Sequence, residues 1–182
     1  MFTDQGFDAV PVTAIAKAAG VSHMTFFRHF PTKEAVVVND LFDPLIAEAV
    51  RAQPQRWRPL TRAVRGLIAA MDQESAREEM SSREFRDRIR LAALTPSLSA
   101  AVRTAGQETE HAIAAALIAP GVDDAVARAA AGAVMGAASS LLLTWAGGSD
   151  TSGVEAIETT TDTEGDAVTV LSRGLLSLLG ES

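Results

Sequence analysis

The sequence predicts an all-α protein in two parts, an N-terminal helix-turn-helix over residues 1–35 and a C-terminal helical domain over 36–182. Three observations lead there. Apolar residues recur at helical spacing along most of the chain, with Gly and Pro falling mainly between the periodic segments. Ala, Leu, Glu and Arg, all good helix formers, dominate the composition. Residues Val12 to Glu34 read as two short helices around a Gly-Val-Ser turn, with a third helix start directly behind them.

The elements follow in order. Met1–Gln5 form the last turn of a helix stopped by Gly6. Val12, Ile15, Ala16 and Ala19 fall at i, i+3, i+4 and i+7, one apolar stripe. Gly20 supplies a left-handed stop, and Ser22 caps the next helix, which carries Phe26 and Phe30 on one inward face. Pro31 ends that helix and Thr32 caps again. One long helix is expected from Lys33 to Arg51, kinked or broken at Pro44. Gln53–Pro59 is a linker, and Pro59 suits the first turn of a helix reaching Asp72. A polar Ser/Glu segment precedes a helix over Arg83–Leu94, with Glu84 and Arg88 as an i, i+4 ion pair. Thr95 and Pro96 serve as N-cap and N1 of a helix to Ala119, and Asp123 opens an Ala-rich helix to Ala146. Gly147–Gly165 is expected as a long loop, and Asp166–Leu179 as a final helix.

Composition narrows the function. With no cysteine, disulfide and thiolate chemistry are excluded, and a cytoplasmic setting is expected. Residues 129–146 come closest to a membrane span, but Ala and Gly make up most of them, so a closely packed core helix and no membrane partner are expected. Three scattered histidines offer no metal spacing. No nucleophile–base set and no phosphate-cradling loop are visible, so no metal, no cofactor and no enzymatic activity are expected. The formal net charge is −7, yet residues 120–182 hold two basic and nine acidic side chains while the rest of the chain is balanced. The acidity therefore lies away from the helix-turn-helix, and phosphate contact depends on local charge. A helix-turn-helix lays its second helix in the DNA major groove.

Gly6-Phe7-Asp8-Ala9, Ile15-Ala16, Ala19-Gly20-Val21-Ser22, Thr25, Arg28-His29-Phe30 and Lys33-Glu34-Ala35 together resemble the TetR family of one-component regulators. The stretch from Arg88 (RIRLAALTPSLSAAV) is similar to regulators with an acyl-CoA-like ligand-binding domain, including the mycofactocin type. The resemblance implies a helix-turn-helix DNA-binding domain over 1–35 and a helical ligand-binding and dimerisation domain over 36–182. The whole would be a homodimeric repressor that binds a palindromic double-stranded DNA operator and is released by a small apolar or acyl-type, acyl-CoA-like effector. It implies a recognition helix from His23 to His29. His23, Met24, Thr25 and Arg28 would approach base edges, and Phe27, His29, Thr32 and Lys33 would meet phosphates. Thr13 and Ser22, the polar groups where the two motif helices start, complete the expected DNA-contacting set. Arg28 has the fork geometry for a guanine edge, and Lys33 places a cation for a phosphate.

Three departures stand out. Phe27 occupies the position of the family's phosphate-contacting tyrosine, Pro11-Val12 replace a hydroxyl cap, and the family's first helix is represented only by Met1–Gln5. Either the natural start lies upstream, which is the reading adopted, or this is a shortened form. The second reading of function is accordingly a helical dimer that binds a small molecule or partner without binding DNA. For the effector, Phe85, Ile89, Met135, Leu142 and Trp145 are the candidate pocket lining. The cluster Arg83, Arg86, Arg88 and Arg90 is read as a solvated face, and the small residues of Ala129–Ala138 with the last helix as a four-helix dimer seam.

Overall fold

The computed structural model describes residues 2–38, 45–147 and 165–181, and among these every regular element is a helix. The helices are α1 (Phe2–Gln5), α2 (Val12–Ala18), α3 (His23–His29), α4 (Ala35–Val38), α5 (Leu45–Ala52), α6 (Pro59–Met71), α7 (Glu74–Ser81), α8 (Arg83–Leu94), α9 (Pro96–Ile118), α10 (Asp124–Gly147) and α11 (Ala167–Ser177). The all-α expectation therefore holds.

The main core is built by α5, α6, α9, α10 and α11. Val50, Val64, Ile113, Leu117, Val134, Leu171 and Leu175 are almost fully removed from water within it. Burial of side chains this size stabilises by about 1.5–3 kcal/mol each before chain entropy is subtracted. Gly66 on α6 faces the backbone of Val50 on α5, and its missing side chain lets the two helices touch closely. Among the described residues α10 alone is long and apolar enough to cross a membrane. Here it packs against α6, α8, α9 and α11, and buries Ala127, Ala131, Val134 and Ala138.

A second cluster joins the N-terminal helices to the rest. Phe7, Val37 and Val38 are buried against Ala92 of α8 and Leu98 and Val102 of α9, with Phe2 alongside. Phe85, Ile89, Trp145, Ala146, Ala167 and Val170 form a third, where α8 meets the end of α10 and the start of α11. The Trp145 indole N–H donates to the Gly165 carbonyl at 3.2 Å.

Several expectations need correcting. No helix starts at Lys33: the Thr32 hydroxyl accepts from the Ala35 amide at 3.2 Å, so the cap starts α4 two residues later. The kink expected at Pro44 lies outside the described residues, as does the interior of the loop expected between Gly147 and Gly165. The polar segment before Arg83 is helical: α7 spans Glu74–Ser81 although it buries no residue. Its Glu, Ala, Arg and Met content has high intrinsic helix propensity, which needs no apolar stripe. Arg88 pairs with Glu79 of α7 at 2.7 Å instead of Glu84, because the turn at Ser82 folds α7 back beside α8. Thr95 holds the N-cap position of α9 without a side-chain cap bond.

The start of α11 shows how a local cap sets a pH dependence. The Asp166 carboxylate accepts from the Thr169 amide at 2.8 Å. Hydrogen bonding from the Thr169 side chain and then its amide holds the Asp166 carboxyl below its ordinary value of 3.8. The folded-state value lies below the unfolded one, so this stabilisation is complete above the ordinary value and lost as pH falls through the lower one. Asp166→Ala is expected to cost about 1 kcal/mol at neutral pH. The gap between variant and wild type in urea titrations should close as the carboxyl protonates; a gap independent of pH would refute the ionic cap.

Candidate nucleic-acid interface

The helix-turn-helix is assembled by local chemistry. Ala16 of α2 and Phe26 of α3 are buried, and Phe30 packs on Phe26 with ring centroids 5.5 Å apart. Between the helices Gly20 takes φ +68°, the left-handed conformation that residues with a Cβ adopt only at a cost. The Val21 amide then donates to the Ala16 carbonyl at 2.9 Å, closing the end of α2. The Ser22 hydroxyl accepts from the Thr25 amide at 3.1 Å and lies 2.9 Å from the Thr25 hydroxyl. At α2 the N-cap is Pro11, with no side-chain bond, as the sequence led us to expect.

With Phe26 turned inward, α3 presents the opposite face to solvent. Met24 is 83% exposed and Phe27 38%, and His23, Arg28 and His29 are exposed beside them. His23 and Phe27 stand edge to face with centroids 4.7 Å apart, so one helical turn is stiffened by the ring pair. Arg28 makes no ion pair or hydrogen bond among the described residues, which leaves its donors available. Thr25 is half-buried and shares its hydroxyl with Ser22. Thr13 is exposed in the first turn of α2 and Thr32 exposed ahead of α4. Lys17, exposed in the last turn of α2, is a cation of the motif that the sequence reasoning passed over. Its sole signal was its place on the polar face of α2.

Lys33 is less free than expected. Its ammonium donates to the Phe7 carbonyl, lies 3.4 Å from the Asp8 carbonyl, and sits 4.3 Å from the centre of the Phe7 ring. Two of three donors are thus turned onto the segment between α1 and α2, leaving one for a phosphate. Lys33→Ala should lower stability by roughly 1.5–3 kcal/mol without DNA present, the size of a hydrogen bond to a charged group. Unchanged thermal unfolding would show that this clasp contributes nothing.

A cavity of about 140 Å³ lies between α6, α7 and α8 on one side and α10 and α11 on the other. Phe85, Met135 and Leu142 lie in its wall, while Ile89 and Trp145 sit behind it in the adjoining core. Ile46, Leu67, Ala70, Met71, Ala76, Met80, Ala138 and Leu171 complete the apolar lining among the described residues, and Glu79, paired with Arg88, is the one charged group they place there. The sequence reasoning missed Met80 because the stretch of α7 read only as a polar Ser/Glu segment. It missed Leu67 and Met71 because a pocket wall and a core stripe have the same period. Beside the cavity, Arg86 lies over the Trp145 ring at 4.6 Å, so this arginine is half stacked and not simply solvated.

Comparison with known proteins agrees with this geometry. Residues 1–39 match the family model for bacterial regulatory proteins of the tetR family. Residues 57–167 match the MftR C-terminal domain. A 60-residue alignment is 42% identical to the HTH-type transcriptional regulator EthR of Mycolicibacterium smegmatis, covering 28% of this chain and 27% of that protein. The chain thus matches about a quarter of the length of this curated relative. Together, a helix-turn-helix with an outward second helix and a helical domain matched over 57–167 place the chain in the TetR family of bacterial regulators.

Proposed function

We propose that the protein is a ligand-responsive, DNA-binding transcriptional regulator, a cytoplasmic repressor and not an enzyme, released from a palindromic operator by a small apolar effector. Residues 1–35 act as the DNA-reading unit and 36–182 as the ligand and dimer unit. The observation that carries this is the outward face of α3, with His23, Met24, Phe27 and Arg28 exposed around a buried Phe26. Arg28 takes a guanine edge and His23, Met24 and Thr25 lie over neighbouring bases. Thr13, Ser22, Phe27, His29, Thr32 and the remaining donor of Lys33 face the backbone. Phe27 has no hydroxyl for a phosphate, so its ring contacts a thymine methyl or a sugar instead.

A homodimer places two such helices in successive major grooves about 34–36 Å apart, or a multiple of that. Support for a second copy comes from α10, which leaves Val126, Ala129, Ala133, Gly136 and Ser140 on one exposed stripe, with Leu178 exposed after α11. The effector occupies the cavity under α7. Its walls include Met71, Met80 and Met135, flexible side chains that let a small space widen around an acyl chain. An effector that binds better to a conformation with mismatched half-site spacing releases the operator.

The test is a fluorescence anisotropy titration of the protein on duplexes from upstream of its own gene, at fixed salt, with candidate acyl-type ligands added afterwards. Specific binding reversed by ligand supports the proposal. Leu142→Trp fills the cavity and should keep operator binding while abolishing release. Binding no tighter than to scrambled duplex at any salt would end the DNA-binding part. Ligand release unchanged in Leu142→Trp would end the cavity part.

A further inference from the structure

Arg62, in the second turn of α6, is 1% exposed, and its Nε and Nη2 are sealed from solvent with no hydrogen-bond partner. A guanidinium keeps its charge throughout the pH range in which proteins fold. A buried unpaired charge is among the costliest arrangements a protein can hold, and interiors that contain one supply a counter-charge. The described residues supply none: Arg62 makes no ion pair.

What lies beside Arg62 is an open pocket of about 280 Å³, lined by Arg51 in the last turn of α5, Gln55 in the α5–α6 connection, and Ala116, Ala119 and Pro120 at the end of α9. Its polar lining is therefore two guanidiniums and one side-chain amide, with no carboxylate among the described residues. The side chains of Arg51 and Gln55 make no hydrogen bond among the described residues and are exposed, so they can turn to a ligand. The last carbonyls of α9 carry partial negative charge toward Arg62, which offsets part of its cost. None of them accepts from Nε or Nη2. The walls from α9 are small, leaving space where a side-chain acid would otherwise stand.

We propose that Arg62, Arg51 and Gln55 form a binding site for the anionic end of a small metabolite, a phosphate monoester or a carboxylate, separate from the apolar cavity under α7. The two sites share α6: Arg62 serves the anion near its start, and Leu67, Ala70 and Met71 serve the apolar cavity near its end. The oxyanion supplies the counter-charge that Arg62 lacks, and the planar fork of the exposed Arg51 suits bidentate oxygens. Gln55 adds a neutral donor that tolerates either acid.

The full chain is titrated with inorganic phosphate and, separately, with succinate, each at constant ionic strength against matched chloride, and thermal unfolding is followed. Anything that binds only the folded state raises the melting temperature with a saturating dependence. We expect a saturable rise with phosphate, succinate or both, and whichever anion acts identifies the ligand as a phosphate ester or a carboxylate. Arg51→Gln, at an exposed position, should fold normally and raise the half-saturating concentration about tenfold, the loss of one charge-assisted contact. Arg62→Met should abolish the response and, without anion, melt no lower than wild type, because the uncompensated charge is gone. No rise above chloride with either anion overturns the proposal, as does an identical response in Arg51→Gln. If Arg62→Met does not fold, the Arg51→Gln titration decides alone.

Discussion

Gly66→Ala is expected to destabilise the protein by about 2 kcal/mol or more, lowering its melting temperature by roughly 4–8 °C. A Cβ on Gly66 would stand 2.5 Å from the Val50 Cγ2, 2.6 Å from its Cα and 2.8 Å from its amide nitrogen. Carbon atoms in contact prefer about 3.5–4.0 Å, so α5 and α6 would have to move apart. Two of the three obstructing atoms are backbone, so no rotamer change relieves the overlap. Alanine gains about 1 kcal/mol of helix propensity over glycine, which the overlap exceeds. Gly106→Ala provides the control, since its Cβ would meet Met135 at an ordinary 3.6 Å. That variant should gain up to about 1 kcal/mol. Calorimetric scans of both proteins check the pair; an unshifted or raised melting temperature for Gly66→Ala would refute the close approach.

Arg28→Ala is expected to weaken operator binding by about 1–3 kcal/mol, roughly 5- to 150-fold in Kd, and to relax base preference at one position of each half-site. Arg28 is exposed on the outward face of α3 and no described residue competes for its guanidinium. The loss should therefore reflect the DNA contact and leave the melting temperature of the free protein unchanged. Competition binding against a set of single-base operator variants reads both effects. A uniform loss on all variants would make Arg28 a phosphate contact, and no loss would remove it from the interface.

Features set by a few neighbouring residues were legible in the sequence. Gly20 with φ +68°, the Ser22 cap and the buried Phe26 follow from local backbone sterics, one hydrogen bond and a four-residue spacing. What escaped depends on where a helix face points after folding. Phe85 and Ile89 share a stripe of α8, yet the cavity ends at Phe85 and Ile89 faces Trp145. Arg88 has an acid four residues before it, but the folded-back α7 brings Glu79 closer. Arg62 looks like an ordinary polar residue beside an apolar stripe; only the approach of α5 and α9 seals it in. Period reports which residues share a face. It does not report what that face meets.

The position of α8 has a mechanical consequence. Its Phe85 stands in the wall of the apolar cavity, its Ile89 is clamped in the core, and its Ala92 packs against Val37, Val38 and Phe7. From Phe85 to Ala92 is about 10 Å of rigid rod, with Ile89 near the middle. A helix of that length moves as one piece, so a shift imposed at Phe85 is carried to Ala92. The cluster beneath Ala92 is the footing of the first helices, so their stance would register the fullness of a chamber they never touch.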